Sequence, residues 1–123
     1  MARILVVDDE STIAAILEQT LTRAGYDVLV ARDGLDALQK LLMGGIDLVV
    51  TDIIMPNMNG LEMIKEMQTK YPKVKIIAIS GGGPKGGPTD YLDVAKDLGA
   101  ARCLFKPFML NELTALVKDL LEE

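Results

Sequence analysis

The chain has 123 residues, of which 50% are hydrophobic and 25% are charged, and its formal net charge is −5. These values predict one packed domain over residues 1–123 and exclude a disordered chain. The acidic balance, without a run of Lys and Arg, argues against direct nucleic-acid binding. The single cysteine, Cys103, excludes an internal disulfide. Without a signal peptide or a long apolar stretch, we expect a cytoplasmic protein that does not insert into membranes.

Short apolar runs alternate with amphipathic stretches along the chain. The runs predict strands at 4–7, 28–31, 46–51, 74–79 and 102–105. Ser11 is a candidate N-cap of the first helix, and Asp33-Gly34 predicts a turn. The residues expected on inward helix faces are Ile13, Ile16, Leu17, Thr20, Leu21 and Ala24; Leu35, Leu38, Leu41 and Leu42; Leu61, Ile64 and Met67; Tyr91, Val94, Ala95 and Leu98; and Leu113, Leu116, Val117, Leu120 and Leu121. Leu110 and the methionines at helical spacing are also expected in the core.

Five strands joined through five helices predict an α/β fold with a doubly wound, five-stranded parallel sheet. Continuous apolar runs, rather than alternating ones, indicate that helices cover both faces of the sheet. There is no internal repeat and no linker.

Polar residues follow four of the five strands. Asp8, Asp9 and Glu10 follow the first strand, and Asp52, Ser80 and Lys106 follow the third, fourth and fifth. Parallel strands bring their carboxyl ends to one edge of the sheet, so these side chains are expected to share a pocket.

Carboxylates at this spacing repel one another. Two unit charges about 4 Å apart cost about 4 kcal/mol at an effective dielectric of 20. A cation is therefore expected, and oxygen ligands without histidine or cysteine favour Mg²⁺. A divalent cation beside Lys106 suits phosphoryl transfer, with Asp52 as the nucleophile that forms an acyl phosphate.

Asp8-Asp9, Asp52 with Pro56 and Gly60, Ser80 and Lys106-Pro107 together resemble the signature of the response-regulator receiver domain. The resemblance covers nearly the whole chain and implies the flavodoxin-like (βα)5 fold with strand order 2-1-3-4-5. It implies that Asp52 accepts phosphate from the phosphohistidine of a sensor histidine kinase or phosphotransfer protein.

The resemblance also assigns the neighbouring residues. Asp8, Asp9, Asp52 and the backbone carbonyl of Ile54 would bind Mg²⁺. Ser80 would hydrogen-bond the phosphoryl group, and Lys106 would pair with it. Glu10 is expected only to begin the first helix, where an acid suits the helix dipole.

Two features depart from the pattern of the family. Cys103 occupies the position three residues before the lysine, where the family usually has Tyr or Phe, so an aromatic rotamer switch is in doubt there. The loop Gly81–Pro88 is rich in glycine and longer than usual. Its last glycine, Gly87, is followed by Pro88 and not by the Lys and Ser or Thr that a P-loop requires. Gly81 has no side chain to shield an acyl phosphate, so we expect easy access for a phosphodonor or phosphatase.

The sequence predicts a stand-alone phosphorylation switch that signals to a protein target, as a monomer or a phosphorylation-dependent dimer, and is not an enzyme with turnover on other substrates. The expectation of a stand-alone protein assumes that the chain is complete at Glu123, and a receiver cut from a longer regulator is an alternative. A magnesium-dependent phosphohydrolase is disfavoured because the second acid it requires, two residues after Asp52, is replaced by Ile54. A receiver-like scaffold that acts without phosphorylation is the remaining alternative.

Overall fold

A single parallel sheet forms the centre of the molecule in the computed structural model, which describes residues 2–53, 60–80, 95–106 and 108–122. Its strands run in the order β2-β1-β3-β4-β5, and all four neighbouring pairs are parallel. The elements are β1 (Arg3–Val7), α1 (Ser11–Arg23), β2 (Asp27–Ala31), α2 (Gly34–Leu42), β3 (Leu48–Asp52), α3 (Gly60–Lys70), β4 (Lys75–Ser80), β5 (Arg102–Phe105) and the C-terminal helix (Leu110–Glu122). Residues 95–98 are also helical. The predicted fold class and strand order are confirmed.

Helices bury both faces of the sheet, because successive side chains of a strand point to opposite faces. On β1, Leu5 and Val7 pack with α2 and α3, whereas Ile4 and Val6 pack with α1 and the C-terminal helix. The other inner strands divide in the same way. Continuous apolar strands are therefore required here, as expected for a sheet covered on both sides.

The helix faces are narrower than the sequence suggested. Leu17, Leu21, Leu41, Ile64, Met67, Ala95, Leu113, Val117 and Leu120 are buried as predicted. Ile16, Leu35 and Leu42 are exposed, so their placement in the core was wrong. Each residue rotates a helix by about 100°, which turns these three away from the buried stripe centred on Ala14 and Leu17 in α1 and on Ala37 and Leu41 in α2.

Several predictions at the ends of helices were also wrong. Ala24 and Leu110, both expected in the core, are exposed, whereas Met63 and Met67, the methionines at helical spacing in α3, are completely buried as predicted. Glu10, not Ser11, is the N-cap of α1, and Asp33 is the N-cap of α2, where its carboxylate accepts a hydrogen bond from Asp36 N at 2.8 Å.

Other predicted features lie outside the described residues: the Ile54 carbonyl, Pro56, the loop Gly81–Pro88, Tyr91, Val94 and Pro107. Across the described part of the chain, no helix has the length and apolar character needed to cross a membrane.

Candidate functional site

Asp52 is the last residue of β3, a strand buried along its whole length. Apolar residues hold this strand between β1 and β4, and Ile53 N donates to Ile79 O at 3.0 Å just beyond it. Asp52 is therefore fixed at the carboxyl edge of the sheet with only 8% of its surface exposed. A buried carboxylate requires a counter-charge or hydrogen bonds, so this position is unfavourable unless the neighbours of Asp52 compensate.

Three acidic side chains meet at this edge. One carboxylate oxygen from each of Asp8, Asp9 and Asp52 lies within 4.8 Å of the others. Asp8 and Asp9 directly follow β1, the strand beside β3, so the predicted convergence of these carboxylates is confirmed. An open cleft of about 230 Å³ between α1 and β2 reaches Asp8 and Asp9 from solvent.

Asp8 and Asp9 have different environments. Asp8 is 3% exposed, whereas Asp9 is exposed. The backbone amide of Glu10 donates to Asp8 Oδ1 at 2.9 Å. Burial raises the pKa of Asp8 above its ordinary value, and repulsion from Asp52 and Asp9 adds to this rise, against the opposing effects of the Glu10 amide and of Lys106.

Lys106 supplies the positive charge of the site. Its Nζ donates to Asp52 Oδ2 at 2.8 Å, and its backbone amide donates to Ser80 O at 2.8 Å. Burial alone would lower the pKa of Lys106. The hydrogen bond and attraction from Asp52, together with attraction from Asp8 and Glu10, outweigh that effect and raise it. Lys106 therefore remains protonated and offsets part of the acidic charge.

Ser80 ends β4 next to β3, and its side chain is completely buried. Because Lys106 is bonded to the Ser80 carbonyl, the ends of β4 and β5 lie together beside Asp52. The structure thus brings the carboxylates of Asp8, Asp9 and Asp52 together with the Lys106 ammonium, and it places Ser80 at the neighbouring end of β4.

Backbone contacts that the sequence did not reveal also shape the site. Gly60 N donates to Ile53 O at 2.6 Å, and a Cβ at Gly60 would lie 2.6 Å from Ile53 Cα and still closer to the Asp52 carbonyl. The buried hydroxyl of Thr51 donates to the same carbonyl at 2.8 Å. Glu10, expected only to begin a helix, contributes its amide to Asp8. The Asn59-Gly60 pair was the one available signal for the close approach at Gly60.

Cys103 lies on β5 opposite Ala78 of β4 and is half-buried against the core formed with α2 and α3. It therefore packs against the core while part of the residue stays exposed.

The donors at this edge fit a magnesium ion. The three acids offer oxygen ligands, which Mg²⁺ prefers. Burial, with repulsion from Asp52 and Asp9, raises the pKa of Asp8, so the ionised form of this carboxyl is disfavoured at the site.

Comparisons with known proteins agree with this architecture. A family profile described as the response regulator receiver domain matches residues 4–118. The chain is 36% identical over 119 residues to the alkaline phosphatase synthesis transcriptional regulatory protein PhoP of Bacillus subtilis, covering 97% of this chain and 48% of that protein. It is 37% identical over 121 residues to a transcriptional regulatory protein CpxR homologue of Haemophilus influenzae, covering 98% of this chain and 51% of that protein.

The response regulator protein TrrA from Thermotoga maritima, solved in complex with Mg²⁺ and BeF, superposes with a TM-score of 0.86 at 37% identity, covering 98% of this chain and 99% of that one. The chain spans about half the length of PhoP and of the CpxR homologue. The profile match and the sheet order lead to the same conclusion: this chain belongs to the response regulator receiver domain family.

Proposed function

We propose that the domain is a phosphorylation switch in which Asp52 accepts a phosphoryl group from the phosphohistidine of a sensor histidine kinase or phosphotransfer protein. The observation that carries this proposal is the bond from Lys106 Nζ to Asp52 Oδ2 at 2.8 Å beside Asp8 and Asp9. A buried acid with a fixed cationic partner at a sheet edge is arranged to receive a charged group at its oxygen.

Asp8, Asp9 and Asp52 are the proposed Mg²⁺ ligands, together with the Ile54 carbonyl that the resemblance implies. Bound Mg²⁺ supplies positive charge to the phosphoryl oxygens. Support comes from the oxygen-only donor set and from the burial and repulsion that raise the pKa of Asp8. TrrA, a protein of similar length and fold, was solved with Mg²⁺ and BeF.

In the proposed transfer, a carboxylate oxygen of Asp52 forms the new bond to phosphorus as the phosphorus–nitrogen bond of the donor breaks. The electron pair of that bond leaves with the imidazole of the donor. Lys106 pairs with a phosphoryl oxygen, and the Ser80 hydroxyl donates a hydrogen bond to another. The protein catalyses only its own phosphorylation and dephosphorylation.

The added phosphoryl group brings a charge of about −1.5 to −2 to the edge of the sheet. We propose that this charge changes the protein-binding surface of the domain and so its affinity for a downstream protein. Direct nucleic-acid contact and membrane insertion are not expected of the domain, which would act in the cytoplasm as a monomer or a phosphorylation-dependent dimer.

The test is intact-protein mass spectrometry after incubation with Mg²⁺ and acetyl phosphate. We expect a mass gain of one phosphoryl group, which Asp52→Asn and chelation of the metal both abolish. The exposed Asp119→Asn is the matched control and should be phosphorylated like the wild type.

The same assay separates the alternatives. Continuous release of phosphate from small esters would identify a hydrolase. A wild-type protein that gains no mass with acetyl phosphate or with phosphoramidate would support a scaffold that acts without phosphorylation.

A further inference from the structure

The carboxyl end of the C-terminal helix is bonded to the sheet by a lysine from a distant part of the chain. Lys75 Nζ donates to the backbone carbonyl of Leu120 at 2.6 Å, across 45 residues of sequence. Leu120 O is among the last four carbonyls of this helix, which have no partner within the helix itself. Lys75 therefore occupies the role of a C-terminal cap, supplied from another element.

The sequence of the helix favours this contact. Its last turn contains no basic residue, and Asp119 and Glu122 lie there. Acidic side chains interact unfavourably with the negative end of the helix dipole. The ammonium of Lys75 offers the positive charge and the donor that the last turn lacks.

Lys75 is a rigid attachment point. It is the first residue of β4, where it pairs with Leu48 of β3, and its backbone amide donates to Asp47 O at 3.3 Å. Its side chain is half-buried. The helix is thus attached to the amino end of β4, at the opposite edge of the sheet from Ser80.

The two ends of the helix are held differently. Near the carboxyl end, Val117 and Leu120 are buried in the core. Toward the amino end Leu113 is also buried, but Met109 and Leu110 before it are exposed, and the amide of Met109 donates to the side chain of Glu112, an exposed residue of the same helix. This exposed end is the one that follows Lys106 in the chain.

We propose that Lys75 anchors the carboxyl end of the C-terminal helix to β4, so that the helix moves at its amino end and not at its carboxyl end. Lys75 is a positioning residue, since it lies far from the reacting atoms. Any movement of the helix that originates at Asp52 and Lys106 is then a rotation about its fixed carboxyl end.

Amide hydrogen exchange of residues 119–122 in the ligand-free protein tests the anchor directly. Lys75→Met keeps most of the apolar stem but removes the charge and the donor, and should accelerate exchange there by about tenfold or more. Lys75→Arg keeps both and should exchange within about threefold of the wild type. Lys118→Met, which removes an exposed cation from the same helix, is the matched control and should not accelerate exchange. Equal rates in Lys75→Met and the wild type, or equal acceleration in both Met variants, would overturn the anchor.

A second hydrogen-exchange comparison tests whether the carboxyl end stays fixed. This comparison rests on the proposed function. Loading with Mg²⁺ and beryllofluoride, a tetrahedral mimic of the phosphoryl group, should alter exchange at residues 110–114 of the wild type and leave residues 119–122 unchanged. In Lys75→Met both ends should respond. An equal response of both ends in the wild type would reject the fixed end. If beryllofluoride does not bind, the proposed function fails, while the ligand-free comparison still decides whether Lys75 is an anchor.

Discussion

Replacing Asp8 by Asn should stabilise the ligand-free domain while weakening its metal binding. Asp8 is nearly fully buried beside Asp52, and carboxylate oxygens of the two lie within 4.8 Å of each other. At that separation and an effective dielectric of 20, the repulsion is about 3.5 kcal/mol. The hydrogen bond from the Glu10 amide and attraction from Lys106 favour the ionised form of Asp8 and offset part of it. We therefore expect a net gain of about 1–3 kcal/mol in the free energy of unfolding.

Asn is the appropriate substitute because its side-chain oxygen still accepts the hydrogen bond from the Glu10 amide. The gain should depend on pH. In the folded state the pKa of Asp8 lies above its ordinary value of 3.8. Between these two pKa values the folded protein therefore holds a proton that the unfolded chain has released. The free energy of unfolding of the wild type therefore decreases as pH rises through that interval. Asp8→Asn lacks this loss, so its advantage over the wild type should be largest at neutral pH.

Urea unfolding followed by circular dichroism, first in a chelator and then with Mg²⁺, measures both effects. The wild type should gain stability on adding Mg²⁺, because the ion binds the native state, and Asp8→Asn should gain much less. Asp9→Asn is the matched control. Asp9 is exposed, so its removal should stabilise the ligand-free protein less. An Asp8→Asn protein that is less stable than the wild type in the chelator would refute the reasoning.

Three further substitutions test the contacts that stabilise the site and helix α2. Lys106→Met should lower the free energy of unfolding by about 1–3 kcal/mol in urea titrations, because it removes the cationic partner of a buried acid, while the exposed Lys96→Met should have little effect. Gly60→Ala should cost about 1–3 kcal/mol and slow phosphorylation by acetyl phosphate, because its Cβ meets the backbone at the end of β3. Asp36→Asn should cost about 0.3–0.5 kcal/mol in urea near neutral pH, through loss of the pair with Lys40. That pair lowers the pKa of Asp36. The difference in stability between the wild type and Asp36→Asn is therefore present above pH 3.8 and disappears as pH falls through the lowered pKa.

Much of the fold could be predicted from the sequence because buried strands leave a strong hydrophobic signal. The apolar runs that became β1 and β3 are continuous because both of their faces are covered. The buried faces of the helices were harder to predict from the sequence. The sequence placed Leu35 and Leu42 in the core together with Leu41, but α2 turns Ala37 inward beside Leu41 and leaves Leu35 and Leu42 exposed. A small residue such as Ala37 carries little hydrophobic signal, although it permits close packing of a helix on a sheet.

The members of the site were predictable from their strand ends, but their environments were not. Asp8 and Asp9 are adjacent and identical in the sequence, yet one is buried and the other exposed. Both follow the end of β1 at Val7, but Asp8 N still donates to Ala31 O at the end of β2 at 3.1 Å, and the Glu10 amide donates back to the Asp8 carboxylate. The close approach of Gly60 to the end of β3 likewise depends on tertiary geometry. Lys75 was unremarkable in sequence because its partner, Leu120, lies 45 residues away.

The proposed switch depends on contacts that exist only when the phosphoryl group is present. Moving a two-state equilibrium from 1:99 to 99:1 requires about 5.5 kcal/mol of differential stabilisation. The proposed contacts from Ser80 and Lys106 to the phosphoryl group would supply part of it. Ser80→Ala is therefore expected to accept the phosphoryl group at Asp52, by intact mass, yet to reach the active arrangement only in part. Amide chemical shifts of the loaded variant should lie between those of the unloaded and loaded wild type. Shifts equal to those of the loaded wild type would show that the Ser80 hydroxyl contributes nothing to the switch.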